Sequence, residues 1–141
     1  MKPVNMIVTH DPANGSWGDC TRACVASIFE LPAEEVPHFC EGSEANRIME
    51  DGITRVWYKR LIDWLEARGF SCIQFNLDED TAEWPEACCQ FHYIRGGETR
   101  RGTPHDTVWF GGKMVHDPAV YDPVGLLPDA WPQTVLIFVK K

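Results

Sequence analysis

The chain has 141 residues, 44% of them apolar and including six Trp and seven Phe, which excludes a disordered polymer and leaves room for one hydrophobic core. Thirteen basic against twenty-one acidic residues give a formal charge of −8, which opposes attraction to nucleic-acid phosphates and anionic membranes, so neither is expected as a partner. The opening MKPVNMIVTHDPANG lacks the apolar run of a signal peptide and nothing later approaches a membrane span, so one cytoplasmic domain over residues 1–141 is expected.

The turn-rich DPANGSWGD leads into Cys20–Phe29, where Ala23, Cys24, Val25, Ile28 and Phe29 fall close to one helical stripe. Asp19 is expected as its N-cap, which sets Cys20 in the first turn. LPAEEVPHF predicts a single helical turn started by Pro32 and stopped by Pro37. The polar CEGSEANRIMEDGIT predicts a loop with one turn around Arg47–Glu50. Trp57, Leu61, Trp64 and Leu65 recur at helical spacing, and Gly69 supplies a stop.

From Phe70 onward the period changes. FSCIQFNL, ACCQFHYI, HDTVWF, KMVHD and TVLIFVK are short and rich in β-branched and aromatic residues, hence strands, joined in part by the acidic link DEDTAEWPE and the basic loop RGGETRRGTP. Helices first and strands after predict an α+β fold with helices on one side of an antiparallel sheet.

Cysteines stand at 20, 24, 40, 72, 88 and 89, and without an export signal they are expected as free thiols. Cys72, Cys88 and Cys89 lie in apolar segments, where cysteine acts as a small core residue. Only Cys20 and Cys24 have the spacing of a zinc knuckle, and Cys24 belongs to the apolar stripe, so no metal or cofactor is expected. Cys20 is different, because the first turn of a helix favours a thiolate through its unpaired N–H groups. His105 opens a strand directly after Pro104 and can serve as its base, and Asp117 closes the next strand and can orient the imidazole.

Hairpin geometry constrains that last pairing. A two-residue Gly111-Gly112 loop sets Asp117 opposite Asp106 and turns His105 to the other face, whereas an odd three-residue loop, Phe110 to Gly112, or a bulge there sets Asp117 opposite His105. His116 alternates away from Asp117, and His10, His38 and His92 are expected as surface or core histidines. Arg95, Arg100 and Arg101 read as a solvated loop. Trp17 is expected either to wall a substrate cleft or to staple the helix that follows.

GDCTRACVAS followed by HDTVWFGGKMVHDP resembles the papain-like cysteine peptidases, most closely the C39-like, bacteriocin-processing branch. The resemblance covers these two blocks, while the stretch from Cys40 to Gly102 matches only in the order of its elements. It implies a papain-like fold with Cys20 as nucleophile, His105 as general base and Asp117 as the orienting residue. It also implies an oxyanion donor at Asn14, where family members usually carry glutamine. The expected activity is hydrolysis of a peptide or isopeptide bond through a thioester, with a glycine-ended peptide or protein strand as substrate. The alternative is a catalytically inactive protein of the same fold, a phage or bacterial accessory factor that binds a host protein.

Overall fold

The computed structural model describes residues 1–80, 89–121 and 123–141. Helix α1 spans Cys20–Phe29 and α2 spans Val56–Glu66. Strands β1 (Phe70–Leu77), β2 (His92–Glu98), β3 (Pro104–Phe110), β4 (Lys113–His116) and β5 (Gln133–Lys140) form one antiparallel sheet in the order β1-β5-β2-β3-β4. The fold is α+β.

The apolar stripe of α1 is buried through Ala23, Cys24, Val25 and Ala26, and that of α2 through Leu61, Trp64 and Leu65. Both meet Val36, Phe39, Ile94, Val108 and Leu136 in one cluster, so the helices cover a single face of the sheet. Side chains alternate along a strand, and the neighbouring residues Tyr93 and Val135 point the other way into a smaller cluster with Leu77 and Cys89. Each buried leucine of the main cluster contributes roughly 1.5–3 kcal/mol through its removal from water.

Strand register determines what stands beside the start of α1. Ile94 pairs with Leu136 and with Val108, and these three carry the face packed on the helices. Two residues on, Gly96 pairs with Thr134 and with Asp106, so this row continues the same face past the core. A carboxylate therefore occupies the position that follows a valine on the helix-facing side.

The β3–β4 connection is a tight turn whose central residues, Gly111 and Gly112, have φ of 56° and 76°. Positive φ at both positions is the hairpin geometry that glycine supplies without strain. Phe110 pairs with Lys113 and Trp109 with Met114, but Val108 then pairs with His116, leaving Val115 as a bulge. The extra residue lies in β4, not at the turn.

Three expectations require correction. Strand β2 starts at His92 and runs through Arg95, Gly96 and Gly97, residues expected in a loop. The glycines belong there because the sheet is crowded: a Cβ on Gly96 would lie 2.3 Å from Asp106 Oδ1, and one on Gly97 3.1 Å from Gln133 Cγ. Arg95 is correspondingly committed, donating to Gln133 Oε1 at 2.5 Å with its guanidinium 4.8 Å from the Trp109 ring centroid. The helical turn expected at Arg47–Glu50 forms instead at Ser43–Asn46. Asp19 precedes α1 but makes no side-chain cap; its buried carboxylate accepts from the backbone N–H groups of Ile7 and Val8 at 3.2 and 3.0 Å and from Arg22 Nε at 2.9 Å. It ties the N-terminal segment to the helix start. Residues 81–88, which take in 81–86 of the acidic link and Cys88, lie outside the described residues.

Candidate active site

Where the N-terminus of α1 meets the first residues of β3, a cavity of about 810 Å³ opens, lined among others by Trp17, Cys20, Gly96, His105, Asp106 and Trp131. Cys20 is the first residue of α1 and is half-buried. Burial, the Asp106 carboxylate and the neighbouring Cys40 hold its thiol well above the ordinary cysteine value, against the backbone N–H groups of Asp106 and Thr21, which favour the thiolate. The thiolate expected from the helix start alone is thus not the resting state. Desolvation and a like charge outweigh the two N–H groups.

His105, the second residue of β3, is buried and lines the same cavity. Its Nε2 lies 2.7 Å from Asp117 Oδ1. The Val115 bulge brings this about, because it shifts the register of β4 by one residue and so turns Asp117 to the face of His105. Asp117 is fixed in turn by the N–H of Ala119 on Oδ1 and that of Gly125 on Oδ2, both at 2.9 Å. Burial alone would raise its pKa, but the bonds from His105, Ala119 and Gly125 outweigh it and bring the carboxyl down to about 2. An ionised carboxylate can only accept, so Nε2 is the donor in this bond, and in the neutral ring Nδ1 is the nitrogen that keeps a lone pair.

Asp106 follows His105 and turns to the opposite face of the strand, toward α1. Its Oδ2 accepts the Thr21 hydroxyl at 2.6 Å, and its Oδ1 lies over the bare Cα of Gly96. Burial raises its pKa, opposed by the Thr21 bond and the nearby His105.

Other residues hold the loop before Cys20. His38 donates from Nε2 to the Trp17 carbonyl at 2.7 Å, a bond that leaves the buried Nδ1 without a partner. His10 Nδ1 accepts the Gly18 N–H at 3.2 Å, and its ring sits 6.1 Å from that of Trp17. Trp17 does wall the cavity. Asn14 does not reach it: the residue is exposed in a short turn, and its amide donates to Asp11 Oδ2 at 2.6 Å. An Asn-Gly turn closing on Asp11 uses up the shorter amide locally.

Cys24 and Cys89 are buried in the two clusters, and Cys72 is half-buried. Cys40 shares the cavity with Cys20, its sulfur 3.6 Å from the Thr21 hydroxyl, and burial raises its thiol to about 11. His92 packs its ring 4.9 Å from that of Phe110, and His116 donates to the Val4 carbonyl at 2.9 Å. Among the described residues no three His, Cys, Asp or Glu side chains converge as metal ligands, and no helix is long and apolar enough to cross a membrane.

Of the residues expected at the site, Cys20, His105 and Trp17 line this cavity and Asp117 stands behind His105, while Asp106 and His10, which also line it, and His38, which holds the Trp17 carbonyl, were not expected there. For Asp106 a signal existed: it alternates with Val108, the apolar residue that marks the buried face of β3. Comparison of the chain with protein-family models, curated proteins and solved structures returned no match.

Proposed function

We propose that the protein is a papain-like thiol hydrolase that cleaves a peptide or isopeptide bond through a thioester. The observation that carries the reading is that His105, whose Nε2 lies 2.7 Å from Asp117 Oδ1, lines the same cavity as Cys20 at a helix start. With Nε2 bound to Asp117, the free Nδ1 of His105 takes the Cys20 proton as sulfur attacks the acyl carbon. The imidazolium then protonates the departing amine. Water, deprotonated by the same Nδ1, attacks the thioester and releases the acid and the thiol.

Asp117 stabilises the imidazolium at both stages, because its carboxylate stays ionised down to a pH of about 2. The raised Cys20 thiol fits a transfer that completes only when substrate and base are both in place. Helix-start N–H groups beside Cys20 would receive the oxyanion. The cavity volume of about 810 Å³ suits a short peptide segment, and Trp17 forms one wall. Incubation with a peptide carrying a C-terminal glycine-derived electrophile tests the reading: one covalent adduct at Cys20 in the native protein and none in Cys20→Ala supports hydrolysis. An unreactive Cys20 leaves a protein that binds its partner without cleaving it.

A further inference from the structure

We infer that Asp106 forms a subsite for an alkylammonium or guanidinium group beside Cys20, so that the preferred substrate carries a positive charge next to the scissile acyl group. This rests on the thiol-hydrolase reading and names its substrate class. Three features of the sheet carry it. Asp106 lies on the row Thr134–Gly96–Asp106, where the helix-facing side of the sheet runs out from under α1 into the cavity. Its Oδ2 is held by the Thr21 hydroxyl, so the carboxylate is fixed in place, while Oδ1 lies over Gly96, where any larger side chain would fill the space. A carboxylate largely withdrawn from water calls for a positive partner or several donors, and among the described residues the groups that act on or feel this one are the Thr21 hydroxyl, the thiols of Cys20, Cys24 and Cys40, and the imidazole of His105.

Among the described residues no Lys or Arg makes an ion pair with Asp106. Arg101 lines the same cavity, but its guanidinium donates to the Tyr121 carbonyl at 3.2 Å. Trp57 also lines the cavity, an aromatic surface suited to a cation. A cation against Asp106 offsets the like charge facing the Cys20 sulfur, so that binding the right substrate also eases ionisation of the nucleophile.

The test compares two small methanethiosulfonates, one bearing a trimethylammonium group and one neutral. In each, the Cys20 thiolate attacks the sulfenyl sulfur, forms a mixed disulfide and releases methanesulfinate, and the site of labelling is read by mass spectrometry. The ratio of the two rate constants cancels the intrinsic reactivity of the thiol. That ratio is expected to fall at least about tenfold, equivalent to about 1.4 kcal/mol, from the native protein to Asp106→Asn, which keeps an oxygen for Thr21. A fall of less than about threefold, well under 1 kcal/mol, overturns the subsite.

A second measurement needs no variant. Acetyl-lysine amide and glycinamide, which present a side-chain and a terminal ammonium, are tested as protectants of Cys20 against the neutral reagent, beside acetyl-norleucine amide and acetamide. Protection by one cation and not by its neutral counterpart supports the subsite and identifies which amine it takes; protection by neither overturns it. A cation-selective Cys20 with no turnover of any peptide would remove the hydrolase and leave the subsite standing.

Discussion

His105 and Asp117 are twelve residues apart and joined by a two-glycine turn, yet they meet at 2.7 Å only because Val115 is extruded from β4. In a regular hairpin the two would face opposite sides of the sheet. Deleting Val115 is therefore expected to preserve the hairpin and to lower kcat/KM as much as Asp117→Ala does. Steady-state kinetics beside far-ultraviolet circular dichroism would check both halves of that statement.

Substitution of Asp117 itself is expected to be graded. Asp117→Asn can still orient the ring but stabilises imidazolium less, so kcat falls, while Asp117→Ala loses orientation as well and falls by about 10²-fold or more. Equal kinetics for Asp117→Ala and the native protein would reduce the site to a Cys-His pair.

Asp117 also leaves a mark on stability. Its carboxyl titrates at about 2 when folded, below an unfolded value of about 3.9, so its contribution is present above pH 4 and is lost as pH falls toward 2. The shift corresponds to roughly 2 kcal/mol. Urea unfolding of the native protein and Asp117→Asn at pH 6 and pH 2.5 is expected to show a stability gap that narrows at the lower pH.

Asp106 has the opposite sign. Burial raises its pKa, so the folded state binds the proton more tightly than the unfolded chain, and stability is lost as pH rises through the unfolded and then the folded value. Asp106→Asn removes a poorly solvated charge while keeping an acceptor for Thr21, and is expected to raise Tm at pH 7. The same variant is expected to lower the Cys20 pKa, read from the pH dependence of alkylation by a neutral reagent.

Much of this arrangement was legible from local pattern. α1 runs over the Cys20–Phe29 segment expected from its apolar stripe, and β1 over Phe70–Leu77, because long periodic or β-branched runs bury one side by construction. β2 was misplaced because Arg95, Gly96 and Gly97 carry the residue types of a turn; what keeps them in the sheet is close approach by Asp106 and Gln133, a tertiary constraint. The sequence points to an odd loop or bulge at Phe110 to Gly112, whereas the turn is regular and the extra residue is Val115, a place that depends on how β4 pairs with Val108. Asp19 likewise had the residue type of a cap, and the N–H groups of Ile7 and Val8 claimed it instead. Asp19→Ala is expected to destabilise by about 3–5 kcal/mol, since it leaves the largely buried Arg22 without its partner.

The central claim is that Cys20 is a nucleophile served by His105. Its most direct test is intact-protein and peptide mass spectrometry after reaction with the glycine-derived electrophile, comparing the native protein, Cys20→Ala and His105→Ala. A single adduct confined to Cys20 is expected, absent in the first variant and formed at least about 10²-fold more slowly in the second. Labelling spread over Cys40 and other thiols, or an equal rate in His105→Ala, would contradict it.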